Sequence, residues 1–123
     1  MAKIMVVDDD TQVTTLLEEV LTMEGYEAIV VNESSKALEL ARESKPDAFL
    51  LDLMMPEPDG FKVCRMLRAE LAFLHTPIII VTALDDTDSR IVAFGAGADD
   101  YVTKPYHIEE LTDRIKELLD EAG

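Results

Sequence analysis

The chain has 123 residues, the size of one domain, and 48% of them are apolar and 30% charged, a balance that builds a packed core and excludes a disordered segment. Its formal net charge of −15 argues against direct contact with nucleic acid, where Lys and Arg must neutralise phosphates, and favours a partner with a basic docking patch. One cysteine, Cys64, excludes an internal disulfide, and no apolar run is long enough for a signal peptide or a membrane span, so the expected location is the cytoplasm.

Lys3 to Val7 (KIMVV) reads as a first strand, followed by Asp8, Asp9 and Asp10. Val13, Leu16, Leu17, Val20 and Leu21 recur at helical spacing and predict a helix over Thr11–Glu24, stopped by Gly25 as a left-handed cap. Glu27 to Val31 is a second strand. Ser34 or Ser35 can cap a second helix carrying Ala37, Leu38, Leu40 and Ala41 and ending before Pro46. Ala48 to Leu51 is a short apolar third strand that closes on Asp52. Asp59 caps a third helix running through Phe61, Val63, Cys64, Met66, Leu67 and Leu71. Pro77 opens a fourth strand, IIIVT, which closes on Thr82. Thr87 or Asp88 starts a fourth helix that runs into Gly95 and Gly97. Tyr101 to Thr103 is a fifth strand closing on Lys104 and Pro105, and the last helix runs from His107 to about Glu121.

Five strand–helix units in succession ask for a parallel sheet wound with helices on both faces, an α/β architecture in one domain, residues 1–123. The first, third and fourth strands are apolar throughout and belong at the centre; the second, with Glu27, belongs nearer an edge. In such sheets the functional crevice lies beyond the carboxyl ends of the strands. Four of the five strands deliver a polar group there: Asp8 to Asp10, Asp52, Thr82 and Lys104.

Carboxylates from the first and third strands would repel one another. A Mg²⁺ ion resolves the conflict, since it takes oxygen ligands and keeps waters and a phosphate oxygen. Phosphoryl transfer needs just such cationic support on its equatorial oxygens. Asp52 then reads as the nucleophile that forms an acyl phosphate, Lys104 as a second cation and Thr82 as a hydroxyl donor. Other polar residues have plainer readings. His75 and His107 lie in turns, Cys64 packs in the core, and the methionines are mostly core or start-codon residues, Met54 and Met55 flanking the site as packing and backbone. Asp85, Asp86 and Asp88 read as a solvated loop and a helix N-cap, and Asp8 to Asp10 taken alone could be a strand-end loop.

Together VVDDD (Val6 to Asp10), LLDLMMPEPDG (Leu50 to Gly60), VTA (Val81 to Ala83) and GADDYVTKPY (Gly97 to Tyr106) closely resemble the receiver domain of two-component response regulators, the CheY-like family, across essentially the whole chain. The resemblance implies a five-stranded parallel sheet of order 2-1-3-4-5, flavodoxin-like and doubly wound. It implies that Asp52 accepts a phosphoryl group from a sensor histidine kinase or a phosphotransfer protein. It makes Asp8 and Asp9 the acidic pair for Mg²⁺, Asp9 directly and Asp8 through water, with Asp52 and the backbone carbonyl of Met54; Asp10 is left outside the ligand set. Thr82 and Lys104 would grip the phosphoryl group. Tyr101 would be the aromatic switch that turns inward, small Ala83 would leave its path open, and Lys104–Pro105 would be a cis peptide bond.

The resemblance also implies an output face on the fourth helix, fifth strand and fifth helix, serving a downstream effector protein or output domain. In OmpR/PhoB-type relatives that face forms a homodimer on activation. Arg90 with Glu110 and Asp100 with Arg114 match two of its inter-subunit ion pairs, whereas Ala96 and Glu121 do not match the third. Two positions that set phosphate lifetime in the family hold Met54 and Leu84, neither able to activate water. Three rival readings fit less well. A haloacid dehalogenase-type phosphatase needs a second acid where Met54 stands, a flavin module would be repelled by Asp8 to Asp10, and a pseudo-receiver would lack the intact acceptor, acids, threonine and lysine.

Overall fold

The computed structural model describes residues 1–122. Five parallel strands, β1 (Lys3–Val7), β2 (Glu27–Val31), β3 (Ala48–Leu51), β4 (Ile78–Thr82) and β5 (Asp100–Thr103), form one sheet in the order β2-β1-β3-β4-β5. The apolar strands β1, β3 and β4 are central and β2 is an edge, as their composition requires.

Alternation along the strands sends successive side chains to opposite faces. Met5, Val7, Phe49, Leu51, Ile78 and Ile80 meet α2 (Ala37–Ser44), α3 (Gly60–Arg68) and α4 (Thr87–Gly95). Ile4, Val6, Leu50, Ile79 and Val81 meet Leu17 and Leu21 of α1 (Thr11–Met23) and Leu111 and Ile115 of α5 (Ile108–Ala122). Burial of each such side chain contributes roughly 1.5–3 kcal/mol. On the first face Phe73 adds an edge-on contact with Phe49, ring centroids 5.3 Å apart.

Helix starts follow side-chain chemistry. Asp10 caps α1 by accepting from Gln12 and Val13 N–H, Asp59 caps α3 through Lys62 N–H, and Asp86 caps α4 through Ser89 N–H. Gly25, at φ +89°, follows α1 in the left-handed region expected of it.

Several boundaries differ from expectation. Neither Ser34 nor Ser35 caps α2: Ser34 begins a 3₁₀ turn (Ser34–Lys36), and its hydroxyl donates instead to the Pro56 carbonyl at 3.1 Å. The third helix stops at Arg68 rather than reaching Leu71, which lies in a separate 3₁₀ turn (Leu71–Phe73) and is exposed. Arg68 is the last residue of that helix. Its guanidinium donates to the carbonyls of Gly97 (2.9 Å), Phe73 (2.8 Å) and Thr76 (2.6 Å) and pairs with Asp99 at 2.7 Å. Asp99 also accepts from Ile78 N–H at 2.8 Å, so one side chain fastens the end of α3 to the beginnings of β4 and β5. The methionines are not mostly core: Met5 is fully buried, but Met1, Met23, Met54 and Met66 are exposed, Met66 lying beside the buried Val63–Cys64–Leu67 face of α3. Cys64 is buried as expected, and burial pushes its thiol up to about 11, so it is protonated and inert at neutral pH.

Candidate functional site

Register brings the two key carboxylates together. Val7 pairs with Leu51 across β1 and β3, so Asp8 and Asp52 are the first residues past the same rim. Each keeps one more ladder bond: Asp8 N–H donates to Val31 O and Asp52 N–H to Val7 O, both at 3.1 Å. On the other side Thr82 pairs with Thr103, and Lys104 N–H donates to Thr82 O at 2.8 Å. β5 lies two strand spacings from β3, roughly 10 Å, a gap that only a long side chain can bridge. Lys104 bridges it: its Nζ donates to Asp8 Oδ2 at 2.9 Å and to Asp52 Oδ2 at 3.1 Å. Asp8 and Asp52 are 3% and 7% exposed. The Lys104–Pro105 bond is cis, as is Glu57–Pro58.

The other oxygen of each carboxylate also accepts a bond. Asp52 Oδ1 accepts from Met54 N–H at 3.0 Å and Asp8 Oδ1 from Asp10 N–H at 2.9 Å. Burial raises the Asp8 pKa above the ordinary aspartate value; the bonds from Asp10 N–H and Lys104 oppose it, and the charge of Asp52 adds to it. For Lys104 burial works against the charge, but the bond to Asp8 and the charges of Asp52 and Asp8 outweigh it and hold the ammonium above the ordinary lysine value. The two directions agree physically: one ammonium gains from two carboxylates, while each carboxylate has only part of an ammonium.

Among the described residues no group of three metal-ligating side chains is already gathered. Asp9 is exposed at the rim, beside a cleft of roughly 180 Å³ shared with Asn32, Ser34, Pro56 and Glu57. Asp10, set aside as a ligand from sequence, is occupied as the α1 cap. The donor set nonetheless suits Mg²⁺: two buried oxygen ligands already arranged around a positive charge, and a third carboxylate one residue away. A wider cleft, about 410 Å³ and lined by Lys45, Pro46, Leu71 and His75, lies at the opposite end of the sheet. Size does not identify the site; the converging charges do.

Burial of Asp8 links stability to pH. Because folding raises the Asp8 pKa, the native state binds more protons than the unfolded state between the two values. Stability from this group is therefore greatest below the unfolded value and falls as pH rises through the folded one. Asp8→Asn removes this proton linkage and should flatten the pH slope of melting above pH ~4. Melting scans from acid to neutral pH in chelator check it; a variant that keeps the parent's slope contradicts this account.

The residues that the resemblance casts as the switch form a second group. Thr82 is fully buried, and its Oγ1 accepts from Leu84 N–H at 3.5 Å. Tyr101, 4% exposed, already points inward and donates its hydroxyl to the Leu84 carbonyl at 2.6 Å. Both therefore hold one short segment, the turn containing exposed Ala83 and half-buried Leu84. Arg90 stacks over the Tyr101 ring at 4.6 Å and donates to Thr103 Oγ1 at 2.8 Å. On the α4–β5–α5 face Arg114 pairs with Asp100 and lies 3.8 Å from Glu110, all within one chain.

Three contributors were not read from sequence. Asn32 Nδ2 donates to the Asp8 carbonyl and to Thr14 Oγ1, each at 2.9 Å. Ser34 ties the loop after β2 to Pro56. Gly60 packs so close to the end of β3 that a Cβ would lie 2.0 Å from Asp52 O. For Asn32 a signal was present: it follows β2 as Asp8 follows β1.

A family model described as the response regulator receiver domain matches residues 4–116. The response regulator MprA of Mycobacterium leprae is 44% identical over 117 residues, which cover 95% of this chain and 50% of that protein. The chain thus spans about half the length of the curated relatives it matches. Among solved structures, the BeF3-activated N-terminal receiver domain of RstA from Klebsiella pneumoniae is 34% identical with a TM-score of 0.89, covering 95% of this chain and 97% of that one. A CheY-like receiver domain protein from Methanospirillum hungatei is 27% identical with a TM-score of 0.93, over 99% and 96% of the two chains.

Proposed function

Because the chain belongs to the receiver domain family of two-component response regulators, we propose that Asp52 is its phosphoryl acceptor and that residues 1–123 act as one cytoplasmic receiver. The carrying observation is the Lys104 ammonium shared by two buried carboxylates at the strand ends. An Asp52 carboxylate oxygen attacks the phosphorus of a phosphohistidine on a sensor kinase or phosphotransfer protein. The P–N bond breaks, an acyl phosphate forms, and the imidazole leaves. Asp8, Asp9, Asp52 and the Met54 carbonyl would hold Mg²⁺, which when bound supplies positive charge for the phosphoryl oxygens. Lys104 stays beside the acceptor and binds a phosphoryl oxygen, and the Thr82 hydroxyl turns from Leu84 N–H to another. The domain is not a classical enzyme; it catalyses only its own phosphorylation and dephosphorylation.

Incubation with acetyl phosphate and Mg²⁺ should add the mass of one phosphoryl group, labile to hydroxylamine and absent in chelator. Failure to label, together with failure to retain beryllofluoride, overturns the reading. Once formed, the acyl phosphate should last minutes or longer, since the Met54 and Leu84 side chains cannot orient water. Decay within seconds in a mass time course overturns that expectation.

Release of the Thr82 bond frees Leu84 N–H, and the carbonyl of the same residue holds Tyr101, so phosphorylation at the rim reaches the α4–β5–α5 face through one residue. Ile91, Val92 and Phe94 are exposed on α4, apolar surface suited to an effector, an output domain or a second copy. A homodimer through Arg90–Glu110 and Asp100–Arg114 pairs requires exchange, because in the single chain Arg114 already holds Asp100 and Arg90 lies on Tyr101. With beryllofluoride and Mg²⁺, sedimentation should show a dimer at tens of micromolar chain, and a persistent monomer excludes it.

A further inference from the structure

We infer that Asn32 is a positioning residue for the metal, acting through the peptide that joins Asp8 to Asp9. This rests on the Mg²⁺ reading above and extends it to a residue outside the ligand set.

The amide orientation is fixed by chemistry. The Asp8 carbonyl can only accept, so the Asn32 group facing it at 2.9 Å must be Nδ2. The second Nδ2 proton goes to Thr14 Oγ1, also at 2.9 Å. The Thr14 hydroxyl donates its own proton to Thr11 O at 3.2 Å, and Thr14 is 2% exposed. Every proton in this chain of bonds has one acceptor. Asn32 therefore ties the Asp8–Asp9 peptide to a buried point on α1, while Asp8 N–H is held from the other side by Val31 O. Asp10 is anchored in turn through its cap bonds to Gln12 and Val13 N–H.

The consequence falls on Asp9. Asp8 is held by Lys104, but Asp9 is exposed, and its direction is set by the peptide on its N-terminal side. Without Asn32 that peptide can rotate, and the range of directions open to the rim carboxylate widens. Ordering it again on metal binding costs affinity and leaves the chemistry on Asp52 unchanged. The expected signature is a rise in the Mg²⁺ concentration for half-maximal labelling, with the rate at saturating Mg²⁺ retained. Loss of an outer partner of a metal ligand typically costs ~10- to 100-fold in affinity; acting through a backbone peptide, Asn32 belongs near the lower value.

The test uses Mn²⁺ as the probe. Its dissociation constant would be measured by electron paramagnetic resonance on the parent, Asn32→Ala, Thr14→Val and Asp9→Asn chains. Melting temperatures and the Mg²⁺ dependence of acetyl phosphate labelling accompany it. Asn32→Ala should weaken Mn²⁺ by about tenfold and keep the saturated labelling rate. Thr14→Val, which removes the anchor of Asn32 together with the Thr14 bond to Thr11 O, leaves the Asn32–Asp8 bond itself in place and should shift Mn²⁺ in the same direction by less. If Asn32→Ala does not fold, Thr14→Val decides. Unchanged Mn²⁺ affinity in the folded variant, whether or not its melting temperature falls, overturns the inference, as does an equal loss of saturated rate. If the parent itself binds no Mn²⁺, or Asp9→Asn binds as the parent does, the metal reading fails instead.

Discussion

Asn in place of Asp52 should leave a protein that takes up no phosphoryl group from acetyl phosphate under conditions that label the parent fully. A carboxamide oxygen is a far weaker nucleophile than a carboxylate, and no other buried carboxylate can take its place. Asp8 is the obvious substitute, but it is held by Asp10 N–H and Lys104, and burial favours its protonated form. The variant should remain folded, because Asn can still accept from Met54 N–H, and one fewer carboxylate competes for Lys104. Intact mass with a melting scan separates loss of the acceptor from loss of the fold. Undiminished labelling of the Asp52→Asn chain would move the acceptor elsewhere.

Nearly as large an effect should follow Gly60→Ala, a change that adds one methyl group. An alanine Cβ would lie 2.0 Å from Asp52 O, 2.5 Å from Leu53 Cα and 2.8 Å from Asp52 C. All three are backbone atoms of the strand end that carries the acceptor, so no side chain can move aside. Gly60 N–H also donates to Leu53 O at 3.1 Å, which fixes the start of α3 against that strand. Either α3 lifts away or the Asp52 peptide shifts. Overpacking of this kind costs ~1–3 kcal/mol or more, enough for a fall of about ten degrees in melting temperature. A displacement near 1 Å at a reacting group costs about 10²-fold in rate, so labelling should slow to that extent. Gly95→Ala is the control, since a Cβ there meets nothing within 4 Å; it should label and melt like the parent. If the Gly60 variant behaves like that control, the close approach is not what holds the acceptor in place.

Much of this was legible because strand parity and strand ends are short-range facts. Apolar runs of four or five residues fixed β1, β3 and β4, and the first polar residue after each run fell on one rim because the register is in step, Val7 against Leu51 and Thr82 against Thr103. The strand order and the switch reading of Tyr101 needed the family resemblance, whereas Thr82 and Lys104 could be read as phosphate-facing groups from their places at the strand ends. Residues that act by contact at long sequence separation stayed hidden. Arg68 looks like a solvated cation in the last turn of a helix, yet its partners lie as far away as Gly97 and Asp99. Gly60 looks like a turn glycine, but it is required by the nearness of Asp52 O and not by its own backbone angle. Ser34 looks like a cap until the Pro56 carbonyl competes for its hydroxyl. Asn32 was passed over because the search at strand ends favoured groups able to touch a phosphoryl oxygen, and an amide that holds a backbone carbonyl was not one of them.

The Arg68 clamp gives the domain a fulcrum. At the far end of the sheet a guanidinium with four partners secures the entries to β4 and β5, and charge-assisted bonds of this kind are roughly twice as strong as neutral ones. Near Asp52 the turn after β4 is held by two neutral bonds, the 3.5 Å contact from Leu84 N–H to Thr82 and the 2.6 Å bond from the Tyr101 hydroxyl to Leu84 O. The charged clamp therefore secures the beginning of β4, and the arm beyond its end hangs on weaker bonds. With Asp52 phosphorylated as proposed, a pull on the Thr82 hydroxyl would meet a strand fixed at its start and would be delivered as a swing of the Ala83–Asp86 arm. The clamp would take no part in the chemistry, but it would turn a small force at the phosphoryl group into a directed displacement beside Tyr101.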